Sequence, residues 1–189
     1  MDLITLDFET YYDKDFSLRK VTTEAYIRDP RFEVIGVGVK VNDGQTEWAS
    51  GTHEQIKRYL HTFNWAESIL LCHNTMFDGA ILAWIFDVRP RVLADTLCIA
   101  RALHGVEVGG SLHALTQRYN LGTKGTEVLD AKGKHRKDFT AEELGRYGDY
   151  CVNDVELTYK LFMRMAKGFP KQEMRIIDMT LRMFTEPML

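Results

Sequence analysis

Two carboxylates stand at the end of an apolar stretch near the start of the chain, in the sequence LITLDFETYY that begins at Leu3. Residues 3–9 have the pattern of a strand, in which side chains two apart point to the same face. Asp7 and Glu9 therefore project together from the carboxyl end of that strand, where α/β sheets usually bind ligands. The same pair would also occur where a strand simply emerges into solvent, so these two residues alone do not establish a functional site.

A third carboxylate, Asp78, lies in the sequence CHNTMFDGAIL. It comes at the start of a predicted helix that follows a buried strand. An acidic side chain there also interacts favourably with the helix dipole, which would be a purely structural role. Asn74, four residues earlier, leaves the end of the strand and could equally be a turn or cap residue.

A fourth carboxylate, Asp154, lies four residues after Tyr150 in the sequence RYGDYCVNDVELTYKLF. Four residues of helix advance about 400°, so the two side chains share one face with an offset of roughly 40°. Asp149 lies about 140° round the helix from Asp154 and cannot share its site. The alternative is a solvated acidic helix face with Tyr150 packed beside the core.

The rest of the sequence predicts the scaffold that would position these groups. Strands are predicted at residues 3–9, 31–41, 45–50, 68–74 and 91–96. Helices are predicted at residues 22–27, 52–63, 77–86, 96–104, 140–167 and 171–184, with one more between Ser111 and Gly122. This order implies an α/β fold with a mixed five-stranded sheet, an antiparallel hairpin at one edge and helices on both faces.

Composition limits the classes of protein to which the chain could belong. With 189 residues and 45% apolar content, the chain can form one domain around a single core. The net charge of -3 gives no global signal for nucleic acid, so any such binding must come from local patches. The three cysteines fit no zinc spacing and favour reduced thiols, as expected in the cytosol. No run is long enough to span a bilayer, and the first residues do not read as a signal peptide.

The motifs become specific in combination. Asp-x-Glu on a first strand, Asn-x-x-x-Asp entering a helix and Tyr-x-x-x-Asp on a late helix resemble, in this order, the DEDD superfamily of 3′-to-5′ exonucleases. That superfamily has a ribonuclease H-like fold, and the tyrosine spacing is that of its tyrosine subtype. The sequences HNTMFDGAIL, ADTLCIARAL, GSLHALTQRYNLGTKG and YCVNDVELT are similar to landmarks of proofreading domains in family-A DNA polymerases. Residues 6–39 are similar to the phage-encoded branch, so the resemblance covers essentially the whole chain.

The resemblance implies a site for two divalent cations, Mg2+ or Mn2+, held by Asp7, Glu9, Asp78 and Asp154. Four carboxylates in one place would raise one another's pKa values, and bound cations remove that cost. Oxygen ligands favour these ions, and two of them about 3.5–4 Å apart suit in-line attack on a phosphodiester. By resemblance, Asp7 bridges both ions, Glu9 and Asp154 complete the tighter site, and Asp78 holds the second ion through water. Tyr150 orients the attacking water, because a phenol with a pKa of about 10 is a poor base at neutral pH.

The implied reaction releases nucleoside 5′-monophosphates from the 3′ end of single-stranded or mismatched DNA. The expected substrate-binding residues are Thr10, Tyr11, Asn74, Phe77 and Lys124. Aromatic side chains near the motifs would stack on unpaired bases, whereas Phe8 points away from Asp7 and is expected in the core. Cations gather between residues 124 and 137, a segment that either holds the DNA backbone or is a solvated loop.

The expected domain organisation is a single exonuclease domain over residues 1–189. Its last helix, from about residue 170 to 189, is expected to lead into a polymerase domain that is absent from this chain. The expected partners are the DNA 3′ end and that polymerase domain of a longer polypeptide. The chain is otherwise expected to be a monomer, without a membrane partner, in the cytoplasm of the cell or of a phage host.

Two other functions fit the same sequence. A stand-alone exoribonuclease similar to ribonuclease D would share the four acids, and digestion of RNA against DNA separates the two. A catalytically inactive module that docks DNA for a polymerase is the second, although the intact motifs argue against it. A nucleotide-binding α/β protein is excluded, since no glycine-rich phosphate loop follows the first strand.

Overall fold

The computed structural model of the chain describes residues 1–122 and 131–186, and its centre is a mixed sheet. The strands are β1 (Asp2–Thr10), β2 (Val34–Val41), β3 (Glu47–Ser50), β4 (Ser68–Cys72) and β5 (Val92–Asp95). The described residues form one five-stranded sheet in the order β3-β2-β1-β4-β5. The β1–β2 and β2–β3 pairs are antiparallel, whereas β4 and β5 continue the sheet in parallel with β1. The predicted α/β class and the antiparallel hairpin at one edge are confirmed.

Helices cover both faces of this sheet. They are α1 (Thr23–Arg28), α2 (His53–Leu60), α3 (Thr75–Trp84), α4 (Thr96–His104), α5 (Leu112–Arg118), α6 (Ala141–Met165) and α7 (Lys171–Thr185). The long helix α6 packs on β1, β2 and β3, with α4 and α5 beside it. The other face is covered by α1, α2 and α3, and α7 packs against α3 and β5. Within the described residues, no helix combines the length and apolar character needed to cross a membrane.

Most helix boundaries follow from local sequence signals. Thr52 and Thr140 each begin a helix with a reciprocal capping box, and Ser111 caps the start of α5. Several boundaries differ from the prediction by a few residues, among them one end of each of two helices. Helix α3 begins at Thr75 rather than at residue 77, and α5 ends at Arg118, well before Gly122.

Strand β1 separates its side chains between the two faces. Ile4, Leu6 and Phe8 are buried in the core beneath α2 and α3, as the alternation predicts. Asp7 and Glu9 alternate with them and lie toward α6. The apolar half of β1 therefore anchors the strand, while its carboxylates lie under the long helix.

Two glycines on β2 let α6 lie close to the acidic end of β1. Gly36 pairs with Glu9 across the strands, and Gly38 pairs with Asp7. A Cβ on Gly38 would meet the Cys151 Sγ at 2.9 Å, and a Cβ on Gly36 would lie 2.2 Å from the Trp48 ring. The sequence predicts a strand that neighbouring backbone approaches closely, but side chains fill most of that space.

Candidate active site

The carboxyl end of β1 presents two acids that are already close enough to share an ion. Ligand atoms of Asp7, Glu9 and Cys151 all lie within 4.8 Å of one another. The pairing of β1 with β2 shifts register between Glu9 and Thr10, which marks a bulge. Bulges are frequent beside active sites, where they redirect a side chain and end regular pairing.

Asp78 reaches the same place from the first turn of α3. It is buried, with 2% of its surface exposed, and its Oδ1 accepts the Phe8 backbone N–H at 3.0 Å. Burial, and then the negative charge of Asp7, raise the pKa of Asp78 well above its usual range. Asp78 could have been explained by the helix dipole alone. Instead, its side chain hydrogen-bonds β1 and interacts electrostatically with Asp7.

Helix α6 supplies the fourth acid together with Tyr150. Asp154 is buried, and Tyr150 is half-buried beside the apolar cluster that contains Ile35. Between them, Cys151 directs its Sγ toward the Asp7 backbone oxygen at 3.4 Å. Asp154 lies one turn further along α6, and its charge contributes to raising the pKa of the Cys151 thiol.

The structure thus brings Asp7, Glu9 and Asp78 together at the end of β1, and Asp154 lies one helical turn from Cys151, whose thiol faces Asp7. The two nearby acids do not join them. Asp149 is exposed on another face of α6. Glu156 is committed to a structural ion pair, in which the Lys40 Nζ lies 2.8 Å from its carboxylate and Thr46 donates a second hydrogen bond.

A second tyrosine of α6, Tyr147, was not predicted to belong to the site. Its side chain is 4% exposed, and its ring stacks on Phe139 with centroids 5.5 Å apart. Its hydroxyl hydrogen-bonds Glu9, and burial together with the charge of Glu9 raises the pKa of Tyr147. Since residues three apart lie on neighbouring parts of a helix surface, the spacing from Tyr150 could have indicated it.

Asp95 was also missed, and its role is structural. Its carboxylate accepts the backbone N–H groups of Asn74 and Thr75, at 3.0 and 3.1 Å, and that of Leu97 at 2.8 Å. It therefore joins the end of β5 to the start of both α3 and α4. Through this contact it fixes the helix turn that carries Asp78.

The residues predicted to bind substrate are placed in different ways. Asn74 is exposed in a left-handed conformation with φ 76°, and half-buried Phe77 lies beside Asp78. The Thr10 hydroxyl is 3.0 Å from that of Tyr26 and faces a groove. Lys124 lies outside the described residues.

Tyr11 differs from the prediction that it contacts substrate. It is 8% exposed, its ring stacks on His135 with centroids 3.9 Å apart, and its hydroxyl donates to Asp13 at 2.7 Å. The structure therefore gives Tyr11 a packing role. Tyr12, which the sequence left open, is half-buried and lines the groove.

The donor set fits a hard divalent cation. Four carboxylates from three elements offer oxygen ligands, which Mg2+ and Mn2+ prefer. Cys151 adds a soft donor to this set, and burial, followed by the charges of Asp7 and Glu9, raises the pKa of its thiol. A thiol kept protonated is a poor metal ligand, so the oxygen atoms define the site.

Comparison with known families agrees with this geometry. The sequence matches the model of a 3′-5′ exonuclease family over residues 4–169. The chain belongs to that 3′-5′ exonuclease family. It is therefore a hydrolase of the DEDD superfamily, whose members generally depend on divalent metal. No curated protein sequence gives a significant match.

Solved structures of several kinds of protein show the same fold. NrnC of Brucella melitensis superposes with a TM-score of 0.71 at 15% identity, covering 97% of this chain and 83% of its own. RNase D of Trypanosoma brucei, in complex with the RNA U12, has a TM-score of 0.71 at 13% identity, with coverages of 99% and 65%. A family B DNA polymerase of Pyrobaculum calidifontis has a TM-score of 0.65 at 16% identity, covering 88% of this exonuclease and 24% of the polymerase. The ribonuclease H-like fold expected for this exonuclease is thereby confirmed.

Proposed function

We propose that this exonuclease removes nucleoside 5′-monophosphates from the 3′ end of single-stranded or mismatched DNA. We further propose that it proofreads for a family-A DNA polymerase of the phage-like branch, in the same longer polypeptide. The chemistry is supported by the approach of Asp7, Glu9 and Asp78 at the end of β1, with Asp154 and Tyr150 on the helix that covers it. The choice of DNA is supported by the sequence landmarks that resemble family-A proofreading domains.

The reaction is hydrolysis of the last phosphodiester bond. A water oxygen attacks phosphorus, the bond from phosphorus to the 3′ oxygen breaks, and the terminal nucleotide leaves with its 5′ phosphate. Two bound Mg2+ or Mn2+ ions would activate the water and neutralise the charge on the reacting phosphate. The Tyr150 hydroxyl orients the water, while Tyr147 holds Glu9 and the Phe8 N–H holds Asp78.

The terminal nucleotide is proposed to lie between Asn74 and Phe77. Asn74 exposes an amide that can hydrogen-bond a sugar or phosphate, and the Phe77 ring can stack on a base. A terminal base must leave its duplex to reach these groups. A mismatch lowers the cost of unpairing, which would favour wrongly paired ends.

A second candidate is an exoribonuclease. It is favoured by the similarity of fold to NrnC and to RNase D. Sequence identities of 13–15% show a shared fold and do not show a shared substrate. The four acids serve both reactions, because the metal-bound phosphate is the same in DNA and RNA. The two candidates differ only in how the enzyme would bind the sugar of its substrate, deoxyribose in DNA or ribose in RNA.

The experiment is a timed digestion of 5′-labelled single strands, with DNA and RNA of one sequence and a duplex with a 3′ mismatch. We expect stepwise shortening from the 3′ end in Mg2+, faster on DNA than on RNA, and reversible arrest by EDTA. Asp154→Ala should abolish shortening while leaving the circular dichroism spectrum unchanged. Faster digestion of RNA would replace the DNA proposal, and full activity of Asp154→Ala would refute the site.

A further inference from the structure

A groove of about 580 Å3 opens beside the acids and leads away from them. Thr10, one residue beyond Glu9, and Phe77, one residue before Asp78, line it near the site. Lys14, Arg19, Lys20 and Lys132 also line it, and all four are exposed. Three of these cations come from the connection after β1, a segment in which the sequence analysis identified no basic cluster.

These four side chains carry positive charge that the surrounding protein leaves uncompensated. Across residues 1–122 and 131–186, no ion pair involves any of them. The carboxylate that lines the groove, Asp13, accepts hydrogen bonds from the Tyr11 hydroxyl and from the N–H groups of Asp15 and Phe16. The groove therefore presents a net excess of positive charge to whatever enters it.

The wall that carries three of the cations is preformed. Phe16 is fully buried, stacks on Tyr26 with centroids 4.4 Å apart, and is covered by the Arg31 guanidinium at 4.4 Å. The Lys20 N–H donates to the Ser17 oxygen at 2.8 Å, which closes the segment into turns. The opposite wall is joined to it where the Gly133 N–H donates to the Tyr12 oxygen, also at 2.8 Å.

We propose that this groove holds the phosphodiester backbone of the strand that enters the site, over the nucleotides 5′ to the bond that is cut. The inference rests on the proposed function and adds the path of the substrate. Lys14, Arg19, Lys20 and Lys132 pair with successive phosphates, while the terminal nucleotide occupies the acidic end. Contacts to phosphate position a strand without reading its sequence, as an exonuclease that shortens any strand requires.

The test measures binding of fluorescent oligothymidylates of two, four, eight and twelve nucleotides in EDTA, between 50 and 200 mM NaCl. The groove variant is Lys14→Ala with Lys20→Ala. The control is Lys167→Ala with Lys171→Ala, which removes the same charge from exposed positions just after α6 and at the start of α7. Melting temperatures of both proteins establish that each is folded.

For the wild type and the control we expect affinity to increase with length. In the groove variant, affinity for the eight-nucleotide strand should fall at least tenfold, and dinucleotide affinity should change less than twofold. The slope of log K against log salt should decrease by about 1.4, since each phosphate contact on a single strand contributes about 0.7. An equal loss in both variants, or unchanged binding in the groove variant, would overturn the proposal.

The same proteins separate this inference from the proposed function. Length-dependent binding that is lost in the groove variant, without any cleavage in Mg2+, would support the groove and refute the exonuclease reaction. Normal cleavage by both variants, with equal KM for long strands, would support the exonuclease reaction and refute the role of the groove. Arg19→Ala with Lys132→Ala provides a second groove variant, from which the same loss of affinity is expected.

Discussion

At the scale of single residues, Tyr147 is the neighbour that holds Glu9. Tyr147→Phe removes the hydroxyl and keeps the ring in its stack with Phe139, so the fold should survive with a cost of about 1 kcal/mol. Loss of a hydrogen bond that orients a metal-binding side chain typically lowers metal affinity or activity by about 10- to 100-fold. We therefore expect a higher Mg2+ concentration for half-maximal activity, with kcat largely recovered at saturating Mg2+.

Tyr150→Phe is the matched control for that prediction. It should lower kcat at every Mg2+ concentration, because the role proposed for its hydroxyl is to orient the attacking water. Titrations of the cleavage rate with Mg2+ distinguish the two variants. If Tyr147→Phe has the wild-type Mg2+ dependence, its hydroxyl does not position Glu9 for metal.

Asp78 gives a prediction in which stability and activity change in opposite directions. Because its pKa is raised in the folded state, the wild type should lose stability as pH rises above about 4, where an unfolded aspartate ionises. The loss ends once pH passes the raised pKa of the folded state. Asp78→Asn keeps an oxygen for the Phe8 N–H and does not ionise, so it lacks this loss.

Urea unfolding in EDTA measures the effect. Asp78→Asn should be more stable than the wild type at pH 8, by about 1 kcal/mol or more, with a smaller difference at pH 5. Its cleavage rate in Mg2+ should fall at least 100-fold. A variant less stable than the wild type at pH 8 would contradict the electrostatic cost assigned to Asp78.

The site residues differ in how far the sequence could predict them. The faces on which Asp7, Glu9, Asp154 and Tyr150 lie were predictable, since strand and helix periodicity determines them, whereas their common role with Asp78 in one site stays a prediction from the family resemblance. Asp95 was not predictable, because its partners at Asn74 and Thr75 are about 20 residues away and only the packing of β5 against α3 brings them together. Tyr11 was misassigned for the same reason, as its stacking partner His135 comes from a distant segment.

At the scale of elements, the approach of α6 to β2 sets the geometry of the site. Gly38→Ala would place a methyl group 2.9 Å from the Cys151 Sγ and the Val155 Cγ2. Overpacking of this kind typically costs about 1–3 kcal/mol. Since α6 must move outward to make room, Asp154 should move from the Asp7 end of β1, and cleavage should fall by more than stability alone explains.

Gly145→Ala is the control from the same helix. A Cβ there meets nothing within 4 Å, so this change should stabilise the protein by about 0.5–1 kcal/mol without loss of cleavage. Chemical denaturation and initial cleavage rates compare the two variants. Wild-type activity in a folded Gly38→Ala protein would show that the close approach of α6 is not needed.

Elements were more predictable than their ends. The helix over residues 96–104 was predicted with its observed bounds, because Asp95 and Gly105 are strong local boundary signals. The start of α3 was not, since Asn74 adopts the left-handed conformation and its N–H is bonded to Asp95 in another strand. Tertiary contacts of this type are invisible to local patterns.

At the scale of the whole molecule, metal binding should be linked to folding. The proposed ligands Asp7, Glu9, Asp78 and Asp154 come from three elements that pack together only in the folded chain, so cations that bind them stabilise the folded state. Saturation at 100 times the dissociation constant corresponds to about 2.7 kcal/mol, or a rise of roughly 5–10 °C in Tm at this chain length. Differential scanning fluorimetry with and without Mg2+ measures this rise, which Asp7→Ala should abolish.

The last helix bears on the shape of the whole chain. Leu93 of β5 donates its N–H to Asp178 at 2.8 Å, and the Trp84 Nε1 donates to the Thr185 oxygen at 2.9 Å. Helix α7 is thus part of the exonuclease fold through its contacts with α3 and β5. Its predicted connection to a polymerase domain stays a prediction.

Trp48 limits which substitutions related sequences can carry at the positions that it contacts. Its indole fills the space above Gly36 on β2 and Gly148 on α6, where a Cβ would lie 2.2 and 2.5 Å from the ring. Neither glycine can accept a larger residue while Trp48 stays as it is. We expect relatives to keep the three residues as a set or to replace them as a set, with a smaller side chain at 48 accompanying larger ones at 36 and 148.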